Sequence, residues 1–207
     1  MERHNIMELT ASLSSDLTTE TQQQNRIGRF GMWLFLAALT VLFLACVVGY
    51  LIIRLRVSHN VALGTLHLPP ILWISTLAIV LGSLTMERAC RLLSRNQIQS
   101  FKQHLIWTDM LTAAFVATQL PGLWMLLKMH ERLVDGGVAM YGMVFMVILL
   151  HALHVVGGIV PLIVINKRAF TTGYTAQTIL PVRVLTMYWH FLDVVWIILF
   201  ALLSLLG

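Results

Sequence analysis

Residues 30–53 read FGMWLFLAALTVLFLACVVGYLII, an uncharged run of 24 residues held between Arg29 and Arg54. As an α-helix such a run is about 36 Å long. A bilayer core is about 30 Å thick, so this stretch crosses it with some tilt. It carries no period-2 alternation and is far longer than the 9–11 or so residues of a barrel strand. A helix that satisfies its own backbone is the form that fits such a run in lipid.

Working outward, four more runs repeat the pattern, over about 68–86, 105–127, 139–164 and 184–206. The second is entered through Pro69-Pro70, which suit a first helical turn. The third has Asp109 near its start, with Gln119 and Pro121 marking a bend. The predicted fold class is therefore all-α: a polytopic membrane bundle of five transmembrane helices over residues 27–207. Composition agrees, with 58% hydrophobic residues, 11% charged and a mean hydropathy of +0.81. Soluble chains carry about 25% charged residues, so too little charge is present here to coat a water-facing surface.

Residues 1–26 form a polar N-terminal tail rich in Ser, Thr and Gln, expected to be disordered or loosely attached. No cleavable signal peptide is expected, because the first apolar run continues past any cleavage position. Cys46 and Cys90 lack the spacing of a disulfide framework or a thiolate metal site. The formal net charge is +5. With the N-terminus inside, Arg3, Arg26, Arg29, Arg88, Arg91, Arg95, Lys102, Lys167, Arg168 and Arg183 fall on the inner side. Only Arg54, Arg56, Lys128 and Arg132 fall outside. That bias predicts a cytoplasmic N-terminus and a C-terminus on the outer side, and it explains the charge without nucleic acid. The remaining functional hint in the charge is contact with anionic headgroups.

Ionisable residues within spans are costly, which singles out His151 and His154 in the fourth run and His190 and Asp193 in the fifth. Helical rise puts His151 and His154 about 12 and 8 Å from the inner face, against about 14 Å for Asp193 and 9 Å for His190. The matched depths predict that His151 meets Asp193 and His154 meets His190. Such pairs act as inter-helix glue or headgroup contacts. The rival reading is bis-histidine haem ligation, an electron-transfer b-type cytochrome using His190 with His151 or His154. A free-standing transporter is a third class. Gln119 is expected to bond a neighbouring helix. Trp189, Asp193, Trp196 and Phe200 lie at i, i+4, i+7 and i+11, one stripe of the last helix. Gly157-Gly158 offers a surface for close helix approach.

The run Tyr188-Trp189-His190-Phe191-Leu192-Asp193-Val194-Val195-Trp196 closely resembles the last helix of subunit III of haem–copper terminal oxidases. His151-Ala152-Leu153-His154-Val155 with Gly157-Gly158 looks like that family's GxHGLHVxxG stretch, with Ala152 replacing glycine. Phe115 with Gln119, Ser75-Thr76, and Gly31-Met32-Trp33 with Phe35-Leu36 are similar to further family segments. The five runs resemble the short bacterial form, which lacks the first two helices of seven-helix members. Leu39 stands where the family places a glutamate, and the glutamate–tryptophan pair expected after the family glutamine is missing. These departures leave open a branch serving a nitric oxide reductase.

The resemblance implies a subunit with no catalytic, cofactor or metal site of its own, packed on a catalytic subunit I that carries haem and copper. It implies bound phospholipid and support of oxygen reduction coupled to proton translocation. His151, His154, Trp189, His190, Asp193, Trp196 and Gln119 are then structural or lipid-contact residues.

Overall fold

The computed structural model describes residues 2–57, 71–132, 138–175 and 178–206. They form five helices: α1 Glu2–Val57, α2 Ile71–Ser94, α3 Ile98–Arg132, α4 Val138–Thr171 and α5 Leu180–Leu206. Three of these, over Gln22–Leu55, Phe145–Thr171 and Leu180–Leu202, are long and apolar enough to cross a membrane. The Pro69-Pro70 entry lies outside the described residues.

Two sequence expectations change. The polar tail is helical and continuous with the first apolar run. It has no Gly or Pro before Gly28, so nothing stops the apolar helix, once nucleated, from propagating back through it. The helices also outrun the apolar runs at the end carrying the α2–α3 and α4–α5 connections. There helices stop at backbone caps, not where hydrophobicity stops. Asn96 adopts φ 55° after α2. The Gln97 amide bonds the Leu92 carbonyl at 3.0 Å and the Asn96 amide bonds Leu93 at 3.0 Å, a Schellman closure. Past α4, Gly173 adopts φ 79°, and the Thr172 and Gly173 amides both bond the Arg168 carbonyl, at 3.1 and 2.8 Å.

Successive helices alternate in direction, so α1 and α5 run parallel. Gly28 lies beside Leu180, Phe35 beside Tyr188, and Phe43 beside Phe191. The last helix is central, packed on α1, α2 and α4, while α3 closes the bundle against α2 and α4. Met86, Leu93, Phe101, Leu105, Val182 and Leu192 fill the core. Outside, Leu34, Val41, Leu44, Trp73, Leu77, Val160 and Ile163 are each more than half exposed. An apolar belt of that extent is unstable against water and suits acyl chains. The same end of the bundle carries Arg88, Arg91, Arg95, Lys102, Lys167, Arg168 and Arg183.

Candidate functional site

The family-like run on α5 is buried along one stripe. Trp189 and Trp196 are each 3% exposed and Asp193 is 6% exposed. This stripe faces protein. Trp196 is its centre. Its Nε1–H donates to Thr76 Oγ1 at 3.0 Å, its ring meets Phe115 edge-on at 5.8 Å, and His151 stacks on it at 5.2 Å. One turn of sequence thus ties α5 to α2, α3 and α4 together.

The predicted histidine pairs do not form. Both ring nitrogens of His151 and Oδ1 of Asp193 are buried without a hydrogen-bond partner. Each such group costs about 1–3 kcal/mol unless something else satisfies it. His154 donates Nδ1–H to its own Leu150 carbonyl at 2.7 Å. His190 turns to α2, where the Ser83 hydroxyl meets its Nδ1 at 2.6 Å and Glu87 Oε2 lies 3.4 Å from Nε2. Ser83 also faces the Asp193 carboxyl. The physical reason is azimuth: depth along an axis does not say which neighbour a side chain points toward. Here the i, i+3 pair of α5 faces α2, not α4.

Ser83, Glu87 and Arg91 recur every four residues, one face of α2, and that spacing was the available signal for this cluster. Arg91 Nε donates to Glu87 Oε1 at 2.7 Å. That bond, helped by His190, holds the Glu87 carboxyl below its usual range against the opposing effect of burial. A depressed carboxyl stabilises the fold above its unfolded pKa and loses that contribution as pH falls through the folded one. We expect acid that protonates Glu87 to weaken chiefly its bond to Arg91 within α2 and, to a smaller extent, its contact with His190 of α5, and Glu87→Gln to abolish that acid sensitivity while weakening both at neutral pH. Thermal release of the chain from its complex across the pH range checks this; identical pH profiles for the two proteins would contradict it.

Two further polar ties cross the bundle. Gln119 Nε2 donates to Ser75 at 3.2 Å, the neighbour bond expected of it, and Asn166 Nδ2 donates to Asp109 at 2.7 Å. The Asp109–Asn166 pair went unread because neither residue belongs to a motif. Leu39 is 6% exposed and packs in the core beside Leu36.

Three spaces surround these side chains. The largest, about 830 Å³, lies between α1, α4 and α5 and is lined by Met32, Phe35, His154, Gly157, Val164 and Tyr188 among others. Arg168 and Tyr174 close its basic end, the guanidinium 5.1 Å from the phenol ring centre. Burial pushes the Tyr174 phenol up, with Arg168 opposing, so the hydroxyl stays a donor at neutral pH. The second, about 670 Å³, runs between α1 and α5 past Trp33, Thr40 and His190. The third, about 80 Å³, sits beside His151 between α3, α4 and α5. The three histidines thus line three different spaces, and His190 is committed to Ser83 and Glu87. That arrangement does not fit a bis-histidine haem. Among the described residues, no three His, Cys, Asp or Glu side chains gather where a metal ion could sit.

A family model described as "Cytochrome c oxidase subunit III" matches residues 10–207. The chain belongs to that family. Within it, the chain is 29% identical over 195 residues to "Quinol oxidase subunit 3" of Bacillus spizizenii, covering 94% of this chain and 95% of that one. It is 24% identical to "Cytochrome bo(3) ubiquinol oxidase subunit 3" of Buchnera aphidicola subsp. Schizaphis graminum, over 91% and 97% of the two chains. It is 28% identical to "Cytochrome c oxidase subunit 3" of Alkalihalophilus pseudofirmus, over 86% and 85%. As a subunit III of a haem–copper oxidase, the chain is part of a membrane complex with a catalytic subunit I. The stripe of α5 that carried the sequence resemblance is the buried spine that joins the other helices of this subunit III.

Proposed function

We propose that this subunit III is a non-catalytic, lipid-holding partner of the catalytic subunit in a bacterial inner-membrane terminal oxidase. Its five helices all cross the membrane, with the N-terminus cytoplasmic and the C-terminus periplasmic. The basic end of the bundle supports that orientation, because Lys and Arg are retained on the cytoplasmic side. In this role it supports oxygen reduction coupled to proton translocation without itself holding haem or copper.

The observation that carries the lipid reading is the groove between α1, α4 and α5. Its apolar wall runs from mid-bundle to Arg168 and Tyr174, which matches acyl chain below and phosphate above. Its volume of about 830 Å³ falls within the usual 300–1,000 Å³ or so of small-molecule sites. With Leu39 buried in place of a carboxylate, the headgroup contact rests on the guanidinium and the phenol. Arg168→Gln is expected to remove about 1 kcal/mol of attraction for an anionic headgroup, roughly fivefold in retained lipid. Native mass spectrometry of the complex reads this; unchanged anionic lipid would end the assignment.

The groove holding His190 supports the other half of the proposal. A side chain of this kind, 43% exposed at membrane depth, is stable against protein and costly against hydrocarbon. We assign that face to the partner subunit. The deciding experiment is purification through a C-terminal tag on this chain, followed by an absorption spectrum. A large haem-bearing chain should accompany it. A Soret band from the isolated subunit, or a stable chain with no haem partner, would overturn the reading.

A further inference from the structure

The first helix reaches well past the bundle it belongs to. α1 begins at Glu2, yet Gly28 already sits beside Leu180, the first residue of the parallel α5. Residues 2–26 therefore form a helical arm about 37 Å long beyond the start of α5. Glu20, Gln22, Gln23, Gln24 and Arg26 are exposed, so the arm has left the bundle by that level. Asn, Asp, Ser and Thr make up ten of residues 2–26, and their short polar side chains compete with the helix for its backbone groups. Growth from the membrane span removes the cost of nucleation but not this one. Such an arm is held as a helix by packing an amphipathic face against something.

The sequence supplies that face. Ile6, Leu9, Leu13 and Leu17 fall at i, i+3, i+7 and i+11 along one side of the helix. Glu2 lies four residues before Ile6, while Asp16 and Glu20 follow Leu13 and Leu17 by three, so these carboxylates share the same side. Ser12, Ser15, Thr18 and Gln22 lie on the other. Eighteen residues make about five turns, which puts Leu9, Leu13 and Leu17 in line with Ile27, Gly31 and Phe35. Ile27 is 63% exposed, Phe35 is 48% exposed, and a Cβ added at Gly31 would meet nothing. The stripe thus continues onto an open face of α1, not onto the side where Leu36, Leu39 and Phe43 are buried.

Charge names the occupant. Glu2, Glu8, Asp16 and Glu20 against Arg3 give residues 2–25 a formal charge of −3, in a chain of +5 overall. The arm leaves from the bundle end that carries Arg88, Arg91, Lys102, Lys167 and Arg183. Neighbouring membrane subunits gather their own Lys and Arg on that side. Anionic headgroups repel an acidic face, and a second copy of the arm would set carboxylate against carboxylate. We propose that the N-terminal arm docks, through its Ile6–Leu17 stripe and flanking carboxylates, on a basic amphipathic segment of another subunit of the oxidase, outside the membrane. Docking there rests on the orientation proposed above, in which the basic end is cytoplasmic.

Hydrogen exchange and zero-length carbodiimide coupling on the purified complex test it. Amides over residues 6–20 should be protected in the unaltered complex, and Leu13→Asp with Leu17→Asp should speed their exchange about tenfold or more. Carbodiimide should join Asp16 or Glu20 to a lysine of another subunit. Asp16→Lys with Glu20→Lys leaves the apolar stripe intact and should lose both that product and the protection. Because the spans are unaltered, poorer retention of either variant in the complex counts in favour of docking. Free exchange of the arm in the unaltered complex would overturn it. So would coupling only within this chain or to a second copy, or protection that survives the charge reversal. Labelling of Ser12→Cys by a membrane-impermeant thiol reagent in intact cells would report an outward-facing arm, a failure of the orientation separate from any failure of docking.

Discussion

Trp196→Ala should release this subunit from its complex at temperatures where the unaltered complex is intact. In water, the loss of a buried indole combines a transfer term with a cavity term. Between membrane helices the transfer term largely cancels, because the freed side chain would sit in lipid as apolar as the core it left. The cavity term remains. A vacated volume on the order of 100 Å³, at about 24 cal/mol per Å³, gives about 2–3 kcal/mol. Losing the Nε1 bond to Thr76 adds about 0.6 kcal/mol on the bilayer scale. Together these weaken helix association roughly a hundredfold, since about 1.4 kcal/mol is a factor of ten. The cost falls on several helices, because the ring touches His151 of α4, Phe115 of α3 and Phe200 of its own helix. Trp196→Phe keeps most of the volume and loses the bond, so it should cost far less. Blue-native gels across a temperature series measure both. Equal losses for Phe and Ala would show that the hydrogen bond, not the packing, holds the spine.

That spine shows what the sequence could and could not convey. Uninterrupted apolar runs dictate helices, because lipid leaves the backbone no other partner, and all five runs are helical where the structure describes them. Helix ends were harder. The apolar run at 139–164 stops short of Thr171, where Gly173 terminates α4, and only backbone capping carries that information. Depth was legible and azimuth was not. The rise per residue put His190 and Asp193 at reachable heights, yet α5 is surrounded by α1, α2 and α4, and a single chain does not label its neighbours. The recurrence of Ser83, Glu87 and Arg91 every fourth residue was the missing label, a polar face on α2 that requires a polar partner. Charge scarcity drew attention to the right residues, whereas their contacts depended on packing. The missing glutamate shows the same division. Its absence is plain at Leu39, but only the buried position of that leucine reveals that the site became core.

Gly158 and Gly157 should respond in opposite ways to the same substitution. A Cβ added at Gly158 would lie 2.8 Å from Cε1 and 3.3 Å from Cδ1 of Tyr188. The ring cannot swing aside cheaply, because its hydroxyl donates to the His154 carbonyl at 2.7 Å and Phe35 lies 6.1 Å away. Overpacking of this kind costs about 1–3 kcal/mol. Alanine gains about 1 kcal/mol of helix propensity over glycine, which offsets part of that cost. Gly158→Ala is therefore expected to weaken the α4–α5 contact modestly, and Gly158→Leu to prevent assembly of the subunit into its complex. At Gly157 the nearest atom is the Tyr188 hydroxyl at 3.7 Å, an ordinary contact, so Gly157→Ala should be neutral or slightly stabilising. The amount of chain retained in the purified complex reads all three. Adding Tyr188→Leu to Gly158→Ala should restore part of the loss if the clash with the ring is its cause, because contacting residues couple. A double variant no better than the single would place the requirement for glycine in the backbone of α4 rather than in the approach of α5.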